Sequence, residues 1–177
     1  TVLGGVIAFV ALSVHGALYL AVKTEGDLQE RARNIAQRAW IALMLLTVFS
    51  LPASIAVRKD TLDNYRAFPI AFAVPLVVVL ALVGIIVFSR KRDDRKAFAS
   101  SCMYLAIMLV GAAVGLYPRL LPSSNDPSMD ITIEKALSGP HALHVGLIWW
   151  CIGMLLALLY FTVVYRMFRG KVSAGSE

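Results

Sequence analysis

Five apolar blocks, each about twenty residues long, dominate this chain and restrict the folds open to it. A helix needs about 20 residues to cross roughly 30 Å of hydrocarbon, and no block contains Asp, Glu, Lys or Arg in its interior. Within lipid a helix satisfies its own backbone hydrogen bonds, whereas an isolated strand leaves them unpaired. The sequence therefore predicts an all-α, polytopic membrane bundle with five transmembrane helices at residues 2–22, 39–57, 69–89, 97–117 and 144–165.

The balance of apolar and charged residues argues against a soluble protein. Of 177 residues, 59% are hydrophobic and 16% are charged, which is more apolar material than one soluble core of this size holds. The net charge of +6 comes from short clusters between the apolar blocks, without a continuous basic face, so nucleic acid is not an expected partner. Cys102 and Cys151 lie inside apolar blocks and indicate no disulfide framework.

The basic residues also predict the sidedness of the chain. Connectors 23–38 and 90–96, together with the segment after residue 165, hold 12 basic residues, whereas connectors 58–68 and 118–143 hold 5. The positive-inside rule places the first set in the cytoplasm, so the chain starts outside and its tail is cytoplasmic. Because residue 1 is Thr and no charged segment precedes the first block, we expect a piece of a longer protein without a signal peptide here.

The two longest connectors differ in character. Residues 24–38 have their acidic groups early and their basic groups late, which predicts an amphipathic helix on the membrane surface. Residues 118–143 are rich in Pro and Ser, which predicts an irregular loop with one short helical turn near residues 131–137.

The segment from residue 23 to residue 33 supplies candidates for a structural or partner contact. Asp27 and Arg31 lie one helical turn apart, and their pairing would fix the connector against the cytoplasmic end of the bundle. Solvated charges are an equal alternative, because exposed pairs contribute only about 0–1 kcal/mol. The full candidate set is Lys23, Glu25, Gly26, Asp27, Arg31 and Arg33, with Gly26 permitting a backbone turn.

Polar and small residues inside the spans predict which helix faces pack against protein. Gly111 and Gly115 form a small-xxx-small contact on the fourth span. Four of the five spans show a face that is expected to pack inward: Gly5, Ala8, Leu12, His15, Tyr19 and Lys23; Thr47, Ser50 and Ser54 beside Pro52; Ser101, Tyr104 and Met108 beside the two glycines; and Gly146, Trp150, Gly153, Ala157 and Tyr160 on the fifth span.

The sequence offers few candidates for chemistry. His15 is the one strongly titratable side chain deep in a span, and a neutral imidazole bonded to a neighbouring helix is favoured over a catalytic role. Trp149 and Trp150 fit interfacial anchors better than a quinone or lipid platform. No second deep histidine, paired carboxylates, zinc spacing or nucleophile motif occurs, so no catalytic residue, metal ligand or haem is expected on this chain.

Two segments carry a family resemblance. Residues 15–33 read His-Gly-Ala-Leu-Tyr-Leu-Ala-Val-Lys-Thr-Glu-Gly-Asp-Leu-Gln-Glu-Arg-Ala-Arg, which resembles the end of the fifth span of cytochrome bd oxidase subunit II and its cytoplasmic connector. Residues 117–124 read Tyr-Pro-Arg-Leu-Leu-Pro-Ser-Ser, and residues 131–138 read Ile-Thr-Ile-Glu-Lys-Ala-Leu-Ser. Residues 117–124 and 131–138 together form the second segment, which is similar to the last outer loop of the same family. Span order and sidedness extend the resemblance over essentially the whole chain.

The resemblance implies the last five of the family's nine spans. They would form a four-helix unit and a peripheral helix, with residues 1–166 as the bundle and 167–177 as a cytoplasmic tail. The family's first four spans have no counterpart here, so the acidic and histidine positions associated with proton movement in them cannot be carried over.

The resemblance also implies a haem-free subunit II in the bacterial cytoplasmic (inner) membrane. Its partner, subunit I, would carry haem b and haem d, oxidise a quinol and reduce dioxygen to water. No cofactor is expected on this chain itself, a structural quinone or a membrane lipid is a candidate for it to hold, and a small accessory membrane subunit is a further candidate partner. The alternative is a membrane scaffold or half-transporter without redox chemistry, although transport favours broken helices or charge pairs at the midplane.

Overall fold

The computed structural model describes residues 2–57, 69–121, 123, 126–168 and 170–171. Over these ranges the chain forms six α-helices and one two-stranded sheet. In chain order the elements are α1 (Val2–Lys23), α2 (Asp27–Val57), α3 (Ala73–Arg90), α4 (Asp94–Leu116), β1 (Arg119–Leu121), β2 (Ile131–Thr132), α5 (Ile133–Ala136) and α6 (Pro140–Met167), with short 3₁₀ turns at Pro69–Phe72 and Pro127–Met129.

Five of these helices are long and apolar enough to cross a membrane, which confirms the predicted all-α polytopic bundle. They are α1, α2, α3 with its preceding turn, α4 and α6. The connector predicted at residues 58–68 lies outside the described residues, as does most of the tail at 167–177. The described chain divides into two compact units, one built from α1–α4 and one from residues 118–170.

Helix α2 is longer than the sequence predicts. The surface helix expected at residues 24–38 is wrong as a separate element, because α2 runs for 31 residues from Asp27 to Val57. The chain turns between α1 and α2 at Gly26, whose φ of +68° is a left-handed conformation that glycine adopts without steric cost. Asp27 and Glu30 occupy the first turn of α2 and favour its positive dipole end, so nothing interrupts the helix at the membrane boundary.

Helices α1–α4 form two antiparallel hairpins that pack on each other. Within the hairpins α1 packs on α2 and α3 packs on α4, and the hairpins meet through α1 against α4 and α2 against α3. The shared core is lined by side chains of all four helices: Ile7, Ala11, Val14, Leu18, Ala36, Leu43, Val78, Ala81, Leu82, Ile85, Ala97 and Tyr104. Many are alanines, whose small side chains let helix backbones approach closely in lipid.

The inward face of α1 differs from the predicted one. Its buried stripe is Ile7, Ala11, Val14, Leu18 and Ala21, which are spaced to lie on one side of a helix. The expected inward positions Gly5, Ala8 and Leu12 are exposed, and His15, Tyr19 and Lys23 are only half-buried. The apolar stripe makes the closest contact because branched side chains fill the space between helices, and the polar residues fall at its edge.

The predicted hydroxyl stripe of α2 is partly buried. Thr47 is buried and its hydroxyl donates to the Leu43 carbonyl at 2.7 Å, while the Ser50 hydroxyl donates to the Thr47 carbonyl at 2.7 Å. Ser54 is exposed. Hydroxyls therefore do bond to backbone carbonyls in the turns before Pro52.

The connector at residues 118–143 is more ordered, over its described residues, than the irregular loop that its composition predicts. Strands β1 and β2 pair antiparallel, and the backbone N–H of Ile133 donates to the Pro118 carbonyl at 3.0 Å. Asp130 is buried beneath this hairpin, where it pairs with Arg119 at 3.0 Å and accepts from the backbone N–H of Ser123 at 2.6 Å. A buried carboxylate needs such partners, so Asp130 fixes the loop. No residue of α6 is buried, so the packing face predicted at Gly146, Trp150, Gly153, Ala157 and Tyr160 is not found within the described residues.

Gly84 provides the test of the α3–α4 contact. A Cβ at this position would lie 2.7 Å from the Ser100 hydroxyl oxygen and 3.2 Å from Ser100 Cβ on α4. Gly84→Leu should therefore force the helices apart and lower the free energy of unfolding by about 1–3 kcal/mol, measured by thermal unfolding of the purified protein in detergent. Gly16→Leu is the matched control, since a Cβ there would meet no atom of another helix within 4 Å among the described residues. Equal unfolding temperatures for the two variants would contradict this packing.

Candidate functional site

The densest polar site joins the two connectors at one end of α1–α4, and we call it the connector cluster: Gln29, Glu30, Arg33, Arg92 and Asp94. Its centre is a two-pronged contact in which Arg33 Nε donates to Asp94 Oδ1 at 2.8 Å and Arg33 Nη2 donates to Asp94 Oδ2 at 2.7 Å. Both side chains are only 11% exposed. A guanidinium bonded in this way to a shielded carboxylate is among the stronger polar contacts in proteins.

Two further side chains extend the cluster to neighbouring segments. Gln29 Nε2 donates to Asp94 Oδ2 at 2.9 Å and to the carbonyl of Ala21 on α1 at 3.0 Å. Glu30 Oε1 accepts from Arg33 at 2.8 Å and from Arg92 at 2.7 Å. The cluster therefore ties the end of α1, the first turns of α2 and the α3–α4 turn into one network. The Arg92 pair is exposed and contributes little compared with the shielded Arg33 pair.

The turn between α3 and α4 has a fixed backbone. Arg92 has a φ of +58°, and its N–H donates to the Ser89 carbonyl at 3.1 Å. Asp93 then caps α4 by accepting from the backbone N–H of Lys96 at 3.2 Å, and it pairs with Lys96 Nζ at 2.9 Å. These hydrogen bonds from Lys96 hold the pKa of the Asp93 carboxyl below its ordinary value.

His15 lies between α1 and α4, with its ring against Phe98 at 4.8 Å between ring centroids. Its Nδ1 is 2.9 Å from the Ser101 hydroxyl oxygen, and that hydroxyl donates its single proton to the Phe98 carbonyl at 2.7 Å. Ser101 can therefore only accept from the imidazole, which assigns the proton of a neutral His15 to Nδ1. This contact with a neighbouring helix is the structural arrangement that the sequence favours for His15.

Two more polar contacts cross the bundle. The hydroxyls of Thr47 and Tyr104 are 2.7 Å apart between α2 and α4, and both side chains are buried. Trp40 Nε1 donates to the Leu82 carbonyl at 2.9 Å, which joins α2 to α3. In hydrocarbon an unpaired polar group is costly, so these pairs favour one register of the helices.

The remaining candidates from the sequence are dispersed. Asp27 and Arg31 are both exposed and form no ion pair with each other, which agrees with the alternative of solvated charges, and the connector is held instead by Arg33 with Asp94. Glu25 is exposed and Lys23 is half-buried. Gly111 lies against α3, since a Cβ there would be 3.0 Å from Val74 Cγ1, and Gly115 is half-buried. Trp149 and Trp150 are exposed on α6.

Sequence reasoning missed Asp94, Gln29, Glu30 and Arg92. In the sequence Asp94 stands among the basic residues of the connector 90–96, and its partner Arg33 lies 61 residues away, so no local spacing pairs them. The available signal was topological: a hairpin of spans returns residues 23–38 and 90–96 to the same side of the membrane. Acidic residues in one connector could then be matched with basic residues in the other. Across the described ranges, no group of three His, Cys, Asp or Glu side chains is arranged to hold a metal ion.

These features define a polytopic helical membrane protein whose internal polar groups join helix to helix. The family described as "Cytochrome bd terminal oxidase subunit II" matches residues 1–168. The chain belongs to this family.

Individual relatives agree with this assignment. The chain is 31% identical to "Cytochrome bd ubiquinol oxidase subunit 2" of Bacillus subtilis, over 98% of this chain and 50% of that protein. It is 29% identical to "Cytochrome bd-I ubiquinol oxidase subunit 2" of Escherichia coli, over 97% of this chain and 52% of that protein. It is 26% identical to "Probable cytochrome oxidase subunit 2" of Haemophilus influenzae, over 96% of this chain and 52% of that protein. The chain thus spans about half the length of the curated relatives it matches.

The connector cluster predicts a large effect for one arginine. Arg33→Ala would leave the shielded Asp94 carboxylate without its main partner, so we expect the free energy of unfolding to fall by about 3 kcal/mol in detergent. Arg31→Ala is the control on the same helix: Arg31 is exposed and has no ion-pair partner among the described residues, so its loss should change stability by less than about 0.5 kcal/mol.

The charge-reversed double variant strengthens that test. Arg33→Asp combined with Asp94→Arg should recover part of the stability that either single reversal removes, because the pair is restored with opposite polarity. Similar unfolding curves for Arg33→Ala and Arg31→Ala would show that the cluster does not hold the connectors together.

Proposed function

We propose that this chain acts as the haem-free subunit II of a cytochrome bd-type terminal oxidase. In this role it supports a partner, subunit I, that carries haem b and haem d, oxidises a quinol and reduces dioxygen to water. The chain itself contributes a folded membrane scaffold and no catalytic residue. The observation that carries the proposal is the family match, which extends over residues 1–168 and therefore includes all the membrane-spanning helices.

The geometry of the bundle supports a scaffolding role. Three polar contacts join one helix of α1–α4 to another: Arg33 with Asp94, Thr47 with Tyr104, and His15 with Ser101. Such pairs fix the relative positions of helices and need no bound group. A half-transporter gains no comparable support, because the shielded ion pair lies near the helix ends and α1–α4 run unbroken over their described ranges.

The surroundings of the chain are proposed from the family assignment together with the distribution of its basic residues. We place it in the bacterial cytoplasmic membrane, with the α1–α2 and α3–α4 connectors and the C-terminus in the cytoplasm and the start of α1 outside. Large apolar side chains are exposed along the spans, including Phe9, Leu45 and Leu80, and lipid or a partner helix would cover them. Subunit I and a small accessory subunit are the proposed protein partners. Trp149 and Trp150 are the candidates for contact with lipid or a structural quinone.

The oxidase assignment is tested by purifying the full-length chain with whatever partners it retains. We expect the preparation to show haem b and haem d absorption bands and to consume oxygen when a quinol is added. Arg33→Ala should reduce the haem recovered per complex, whereas Arg31→Ala should not, because only the first breaks the connector cluster. A colourless preparation of this chain alone would argue for a scaffold or transporter without redox chemistry.

The sidedness is tested separately with single cysteines. Ser128→Cys and Lys171→Cys, each in a background lacking Cys102 and Cys151, place one thiol in the predicted outer loop and one in the predicted cytoplasmic tail. A thiol reagent that cannot cross the cytoplasmic membrane is applied to intact cells whose outer envelope has been permeabilised. It should label the cysteine at position 128 and leave the cysteine at position 171 unlabelled. The reverse labelling would invert the proposed orientation without affecting the family assignment.

A further inference from the structure

The α3–α4 turn, residues 90–96, carries five basic and two acidic residues. The acidic groups in and beside it already have partners. Asp94 pairs with Arg33, Asp93 pairs with Lys96, and Glu30 of the connector cluster pairs with Arg33 and Arg92. The turn therefore has no carboxylate left to neutralise its other cations.

Three cations of the turn remain: Arg90, Lys91 and Arg95. All three are exposed, and none forms an ion pair within the described part of the chain. Arg95 acts on Asp93 only as a weaker, longer-range charge, behind the hydrogen bonds from Lys96. The positive charge of these exposed side chains is thus not neutralised by a carboxylate of the described residues and is available to an external anion.

The turn displays these cations at the boundary of the membrane. It joins two apolar helices, α3 and α4, that are each long enough to cross the hydrocarbon, so the turn emerges where lipid phosphates lie. Its backbone is held by the Arg92 N–H bond to Ser89 and by the Asp93 cap on α4. A fixed turn loses less conformational freedom on binding than a mobile loop would.

We propose that Arg90, Lys91 and Arg95 form a binding site for the phosphate headgroup of an anionic phospholipid. Charge complementarity supports a phosphodiester, and the position between two membrane-spanning helices supports a lipid as its source rather than a soluble anion. The neighbouring ion pairs support this site in two ways. They occupy the carboxylates that would otherwise compete with the lipid phosphate for the three cations, and they hold the turn in one orientation. This site is independent of redox chemistry and goes beyond the proposed oxidase role.

The test is a binding titration on the full-length complex in neutral detergent, with a short-chain fluorescent phosphatidylglycerol and the matching phosphatidylcholine as probes. The parent complex should bind phosphatidylglycerol more tightly, and added salt should weaken that preference. Replacing Arg90, Lys91 and Arg95 together by Gln should weaken binding of phosphatidylglycerol about a hundredfold and leave phosphatidylcholine unchanged.

Two matched variants separate a local site from general charge. Replacing Arg31, Arg38 and Arg166 by Gln removes the same charge from exposed positions outside the turn and should leave the affinity within a few-fold of the parent. The charge-preserving set Arg90→Lys, Lys91→Arg and Arg95→Lys should also retain it. Equal losses in the two Gln triples, loss of binding in the charge-preserving set, or equally effective competition by inorganic phosphate would overturn the proposal.

Discussion

The contact between Arg33 and Asp94 determines how the two hairpins of the bundle meet. Each hairpin packs its own helices through a local turn, and the position of one hairpin relative to the other must be specified by contacts between the two. A two-pronged ion pair with little solvent exposure supplies that information, because it forms at one relative height and one orientation of α2 and α4. Gln29 then adds the end of α1 to the same carboxylate, so three helices share one anchor.

Association inside lipid needs contacts of this kind. Helices in hydrocarbon gain little from burying apolar surface against each other, since lipid tails are equally apolar. Close packing and paired polar groups must provide the specificity. The bundle has both, in the alanine-rich core with its Gly84 and Ser100 contact and in the hydroxyl pair of Thr47 and Tyr104. Helix spacing and helix register are therefore set by different side chains.

The spans could be predicted from the sequence because their signal is local. A run of apolar residues has one stable conformation in hydrocarbon, and the five predicted runs match the five helices of the described residues that are long enough to span a membrane, with ends displaced by a few residues in most cases. The start of α2 was misjudged because polarity changes at the membrane surface, whereas helical hydrogen bonding does not. Polar residues 27–38 continue the helix that the apolar residues form.

The packing could be predicted only where a pattern was unambiguous. Ser101, Tyr104 and Gly111 lie on the face expected of α4, but the small and polar face of α1 proved to be the edge of the contact. Small residues are equally suited to an internal helix contact or to one with another chain, and spacing along one helix does not separate these cases.

The ion pairs were also difficult to predict from the sequence, because their strength depends on how the helices assemble. They show why the residues that fix the bundle lie in the connectors. The one-turn spacing suggested Asp27 and Arg31 as an ion pair. Two exposed side chains, however, gain little free energy from pairing compared with remaining hydrated. Arg33 is shielded because a second hairpin covers it, and such shielding is a property of the assembled bundle. Once Asp94 and Glu30 are engaged in this contact, they no longer neutralise Arg90, Lys91 and Arg95. The pairing that holds the hairpins together therefore also determines which charges the bundle presents to the membrane surface.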